Sequence, residues 1–159
     1  MSASGVRRIK RSLHIDMTSV KFLDDAMLAK LKNVKLLSSY LEEKEKELAE
    51  WNKEQRVTAV DTINARALTN VGTFRAYIAA YLKSHKKIAQ TETLLVRQLQ
   101  PTHYGLPIEI YVFTSDNRWV EFEGIQSDVF DHLLAVLLDF DLRVYQRPSG
   151  ADFISDDDV

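Results

Sequence analysis

The sequence contains no cysteine, which excludes a disulfide scaffold, cysteine-ligated zinc and thiolate catalysis. That absence fits a reducing compartment. Its five glycines and three prolines are too scattered for a phosphate-cradling loop, in which several backbone N–H groups converge. Long apolar runs are missing as well. The longest, Leu133 to Leu138, falls far short of the roughly 20 residues that a membrane-spanning helix needs. The opening MSASGVRRIKR has basic residues with no apolar run behind them, so it is not a signal peptide. MSASG reads as a linker or expression remnant, and the chain as a piece of something larger. An excess of one charge is also lacking: the formal net charge is −2, and nothing in the balance calls for nucleic acid.

What is present is apolar content of 45%, enough to fill the core of one domain, or of one domain with an insertion. Residues 8 to 16 alternate. Ile9, Leu13 and Ile15 share one parity with Arg11, while Arg8, Lys10, Ser12, His14 and Asp16 share the other, the pattern of a half-buried strand. From Asp24 to Arg56 the text is helical, as two helices or one bent one. Met27, Leu28 and Leu31 form a first, separate stripe, followed by Leu37, Leu41, Leu48 and Trp51. Residues 57 to 71 show no clear period.

A helix then begins at Asn70 or Thr73, both good capping residues, with Gly72 easing the entry. Phe74, Tyr77, Ile78, Tyr81 and Leu82 make its apolar face. Residues 93–100 and 107–114 predict a hairpin. In the second strand Ile108, Ile110 and Val112 point one way, and Glu109, Tyr111 and Phe113 the other. Phe122, Ile125, Val129, Leu133, Val136, Leu137 and Phe140 mark a second amphipathic helix. Its proper start is expected near Ser127, because Gly124 costs on the order of 1 kcal/mol against alanine. Residues 142–146 predict a last strand, stopped by Pro148, and SDDDV an acidic tail.

The expected fold class is α+β. With its inserted helices removed, the order is β-α-β-β-α-β, the ferredoxin-like pattern. The chain divides into 1–21 (first strand and N-terminal edge), 22–68 (mainly helical insertion), 69–154 (remainder of the α/β domain) and 155–159 (acidic tail).

Few residues offer chemistry. Gly72 and Thr73 precede a helix, but plain capping accounts for them. Asp128 and His132 lie one helical turn apart, yet a metal site needs three or four ligands and no second cluster joins them. His14, His85 and His103 sit in unlike contexts. Glu121 and Glu123 lack the burial that would raise one carboxyl for acid–base work. Ser149 lacks the strand–elbow–helix setting of a nucleophile. The basic group Arg7, Arg8, Lys10 and Arg11 has none of the interleaved aromatics of an RNA-binding sheet. The residues point to no enzyme, cofactor, metal or nucleic-acid partner.

Five segments in order carry a resemblance: RRIKRSLHID, LTNVGTFRAYIAAYLKSH, TLLVRQLQPTHYGLPIEIYVFT, WVEFEGIQSDVFDHLLAVL and FDLRVYQRPSGADF. Together, over residues 6 to 154, they resemble the cytoplasmic C-terminal region of bacterial mechanosensitive channels of the small-conductance (MscS-like) family. The nearest branch is the mini-conductance YbdG type, whose extra insertion residues 22–68 resemble. The resemblance implies heptamers of identical subunits that open under membrane tension in hypo-osmotic shock. Their cytoplasmic parts form a hollow vestibule beneath the bacterial inner membrane. The chain would be a vestibule domain with a structural, oligomerising and gating-modulating role, tied to the membrane only through a missing N-terminal part. The family's terminal β-barrel segment is not evident. The alternative is a stand-alone ferredoxin-like regulatory domain that binds a small molecule.

Two surfaces follow as candidates. Glu109, Tyr111 and Phe113, with Arg143 and Tyr145, should form an open sheet face. Three aromatics there are more apolar surface than a monomer exposes without use, which makes the face a candidate subunit interface. Arg7, Arg8, Lys10 and Arg11 make a candidate membrane-proximal basic edge.

Overall fold

The computed structural model describes residues 5–58 and 65–147. The elements run β1 (Arg7–Ile15), α1 (Asp25–Lys32), α2 (Ser38–Gln55), α3 (Asn70–Ser84), β2 (Leu95–Gln98), β3 (Leu106–Thr114) and α4 (Trp119–Val136), with short 3-10 turns at Met17–Ser19, Lys35–Leu37 and Leu137–Phe140. The chain is therefore an α+β protein. The three strands form one antiparallel sheet in the order β1-β3-β2.

Alternation in β1 and β3 decides which sheet face is covered. Ile9, Leu13 and Ile15 stand opposite Val112, Ile108 and Leu106, and all six are buried. They share one core with Phe74, Ile78 and Leu82 of α3 and with Phe122, Ile125, Val129 and Leu133 of α4. Each such side chain contributes about 1.5–3 kcal/mol on full burial, so this contact dominates the fold.

The helices begin and end for local reasons. Asp24 caps α1, its carboxylate accepting from the Met27 N–H at 2.8 Å. Arg56 closes α2 in the left-handed region, φ 57°. Thr69, one residue before the expected candidates, caps α3, its hydroxyl accepting from the Gly72 N–H at 3.1 Å. Thr73 instead donates back to the Thr69 carbonyl. Asn70 is fully buried and acts as a tie, as described below. Contrary to the expected start near Ser127, α4 begins at Trp119 and passes straight through Gly124. Five buried apolar residues at helical spacing outweigh the cost of one glycine.

The helices of the insertion do not carry a stripe of their own. Met27, Leu31, Leu37 and Leu41 lie in the same core as the sheet residues. The base of the segment is stitched to the start of α3 by a bridge between Phe22 and Thr69 and by the Leu23 N–H donating to the Leu68 carbonyl at 2.9 Å.

The expected strand over 142–146 is reduced to one bridge, Val144 against Ile15. Ser19 is the cause. Both its N–H and its hydroxyl donate to the Asp16 carbonyl, while its hydroxyl oxygen accepts from the Arg143 N–H. The Asp16 carbonyl and the Arg143 N–H, which would have continued the ladder past Ile15, are thereby occupied. Only the Asp16 N–H to Arg143 and Tyr145 N–H to His14 bonds remain, both 2.8 Å. The β2 strand is also shorter than the 93–100 expected. Gly105 closes the β2–β3 turn with φ 93°, and a Cβ there would lie 2.6 Å from the Ile15 carbonyl oxygen, so close approach and conformation both require glycine. The expected turn at Pro148–Gly150 and the acidic tail 155–159 lie outside the described residues.

Candidate subunit interface on the open sheet face

The sheet register gathers a second set of residues on the face away from the core. Arg8 stands opposite Phe113, Lys10 opposite Tyr111 and Ser12 opposite Glu109. From the other side, Leu95 stands opposite Tyr111 and Arg97 opposite Glu109. Residues paired across an antiparallel ladder share a face, so Glu109, Tyr111 and Phe113 lie together, as alternation predicts. Arg143 and Tyr145 flank Val144, which pairs with Ile15 of the core side, so backbone alternation puts them with this second set, although Tyr145 at the sheet edge also reaches Phe130 and Leu134 across a cleft.

Its centre is aromatic. The Tyr111 and Phe113 rings meet edge to face with centroids 5.6 Å apart. Both are half-buried, and the Arg8 guanidinium lies 5.8 Å from the Tyr111 ring centroid. These two rings line a shallow cleft of about 350 Å³ with Arg7 and Arg8. Leu95 beside them is 41% exposed. The surface therefore offers apolar rings bordered by cations.

Glu109 is different in kind. It is 6% exposed and accepts from Arg97 Nε at 3.0 Å, with Nη2 at 2.9 Å. A buried carboxylate needs such a partner. Glu109 is thus engaged within the subunit. So is Arg143, held 3.3 Å from Asp16 and 3.0 Å from the Thr18 hydroxyl. Bonds from the Thr18 side chain and backbone, and then Arg143, hold the Asp16 carboxyl below its usual range.

The four basic residues alternate along β1, and Arg7 also borders the cleft beside Tyr111 and Phe113. Arg7 and Arg11 share the core-side parity and lie over α4 rings, Arg7 at 4.2 Å from Phe122 and Arg11 at 4.3 Å from Phe130. Arg8 and Lys10 are exposed on the other face. Adjacent letters in a strand point to opposite sides.

Asp128 and His132 are not brought into a metal centre. The His132 ring stacks on Tyr81 with centroids 4.3 Å apart, and its Nε2 lies 2.7 Å from the Tyr77 hydroxyl. Among the described residues no group of three or more His, Cys, Asp or Glu could hold a metal ion. Burial raises the Tyr77 and Tyr81 hydroxyls and lowers His85, whose ring meets Tyr81 edge-on at 5.7 Å. This ladder, and the roles of Arg97 and Leu95, were missed in the sequence. The i, i+4, i+8 spacing of Tyr77, Tyr81 and His85 was the available signal.

Over 99 residues the chain is 28% identical to the low conductance mechanosensitive channel YnaI of Escherichia coli (strain K12). It is similar to part of a channel. The aligned stretch is 62% of this chain but 26% of the relative, so the chain spans about a quarter of that channel's length. No family model matches. Among the described residues, no helix is long and apolar enough to cross a membrane.

Proposed function

We propose that this chain is the cytoplasmic vestibule domain of an MscS-like mechanosensitive channel, which opens under membrane tension in hypo-osmotic shock. The observation that carries the reading is the 28% match over 99 residues to a mechanosensitive channel. In this reading the domain is non-catalytic, stands on the cytoplasmic side of the bacterial inner membrane and joins identical subunits, seven in the full channel.

The finer fold reading is ferredoxin-like. The order β1-β3-β2 and the bridge that puts Val144 beside β1 support it, since a fourth strand would then close the order β4-β1-β3-β2 expected of a split βαβ unit. The assignment to the mini-conductance YbdG branch rests on the two helices between β1 and α3. In the assembled ring, Tyr111, Phe113 and Leu95 would pack against a neighbouring subunit, with Arg8 and Lys10 at the rim. Aromatic anchors inside a polar border are the usual anatomy of such contacts.

The test is patch-clamp recording from membranes that hold the full-length protein. Stretch-activated currents are the expected result. Their absence up to the tension at which the patch ruptures would overturn the reading.

A further inference from the structure

A second surface needs no channel reading. Where the 143–147 segment leaves β1, an open cleft of about 440 Å³ remains, within the size range of small-molecule sites. Phe130 and Leu134 of α4 and Tyr145 form its apolar walls, while Arg11, His14 and Arg147 bring basic groups, and among the described residues no acidic side chain lines it. Leu134 is 38% exposed.

Three features make this more than a gap between elements. The Arg11 guanidinium is set over the Phe130 ring at 4.3 Å, so a planar cation is held in place. Neither Arg11 nor Arg147 has an ion-pair partner among the described residues. The β1 backbone adds a third. The Asp16 N–H and the His14 carbonyl both bond outward to the 143–145 segment, and alternation turns the same groups of Ser12 to the same edge. Ser12 also lines the cleft.

We infer that this cleft binds a small molecule with an anionic group and a flat apolar body, such as an aromatic carboxylate or sulfonate. The ring would lie against Phe130, Leu134 and Tyr145, and the anion would meet Arg11 and Arg147. Metal cations are disfavoured by the lining charge. An uncharged hydrocarbon would leave both guanidinium groups without a partner. The short, aromatic-walled shape favours a compact ring acid over an extended acidic peptide.

The experiment titrates the 159-residue chain with 1-anilinonaphthalene-8-sulfonate, read by fluorescence and by amide chemical shifts. Saturable binding is expected, with shifts at residues 11–14, 130, 134 and 145. Arg11→Gln with Arg147→Gln should weaken it about tenfold or more, while binding of the uncharged N-phenyl-1-naphthylamine stays within about twofold. Leu134→Glu, which blocks the wall, should weaken both probes. Non-saturating binding, shifts centred on Tyr111 and Phe113, or an unchanged affinity in the double variant would each overturn the inference. Shifts at these residues from an acidic hexapeptide but not from the sulfonate would overturn it in favour of a peptide groove.

Discussion

Asn70 Nδ2 donates to the carbonyl of Phe140 at 3.0 Å, across 70 residues of sequence. The same amide nitrogen donates to the Ser19 carbonyl at 2.9 Å. Its Oδ1 accepts from the N–H groups of Lys21 and Val71, both 2.9 Å. All four hydrogen-bonding capacities of a side-chain amide are filled in a residue with no solvent exposure. One side chain thus ties the exit from β1, the start of α3 and the end of the turn after α4. Asn70→Ala would strand several of these partners in the interior, at about 1–3 kcal/mol for each group left unsatisfied. Denaturant unfolding should show a loss of about 2–4 kcal/mol in total. Asn33→Ala, on an exposed side chain, should change stability by less than about 0.5 kcal/mol.

The two helical glycines should respond oppositely to alanine. Nothing lies within 4 Å of a Cβ placed on Gly124, so Gly124→Ala should stabilise by about 0.5–1 kcal/mol through helix propensity. A Cβ on Gly72 would lie 2.9 Å from Thr69 Oγ1, the atom that caps α3. Displacing that cap costs about 1 kcal/mol, which cancels the propensity gain. In a Thr69→Ala background the conflict is gone, and Gly72→Ala should then stabilise. Melting curves of the four variants check this, and a Gly72→Ala gain equal in both backgrounds would contradict it.

Glu109 and Arg97 form a cross-strand pair with unequal exposure, the Glu109 side chain 8% and the Arg97 side chain 51% accessible. Removing Arg97 alone leaves a carboxylate buried without its partner. With half of the arginine in solvent, the loss for Arg97→Ala should be about 1–3 kcal/mol, below that of a fully buried pair. Arg97→Ala with Glu109→Leu should recover most of it. A double variant as unstable as the sum of the two singles would show that the pair is not coupled.

Acid should weaken the fold before the carboxylates titrate. Burial lowers His85 from 6.5, against the pull of Asp128 and with smaller pushes from Lys87 and His132. Below pH 6.5 the unfolded chain therefore binds a proton at His85 that the folded chain resists. Stability falls as the pH drops from 6.5 towards the depressed folded value, and is restored as the pH rises again. Asp16 and Asp116 act lower, below 3.8, where Arg118 holds Asp116 at about 2. Melting temperature between about pH 7 and pH 5 should fall less in His85→Gln than in the native chain. Equal slopes would contradict the assignment.

Much of the covered face was legible because its signals are local. Parity in 7–15 and 106–114, and the spacing of Phe74, Ile78 and Leu82, follow directly from strand and helix periods. The open face was legible for the same reason, since Tyr111 and Phe113 must oppose Ile110 and Val112. What could not be read depends on distant partners. Ser19 blocks one end of the last strand's pairing by bonding to Arg143, and Asn70 holds residues 19 and 140. Neither pairing leaves a mark in its own neighbourhood. The merging of Met27, Leu31, Leu37 and Leu41 into the main core is likewise a fact of packing, invisible to periodicity.

In the proposed function, this chain joins channel subunits through its open sheet face. The most direct test measures the oligomeric mass of the full-length protein carrying Tyr111→Ser and Phe113→Ser, with the 159-residue chain bearing the same changes melted in parallel. The full-length protein is expected to dissociate into smaller species while the isolated chain still melts cooperatively. A full-length assembly of native mass, together with an isolated chain that no longer folds, would contradict it and make these two rings part of the core.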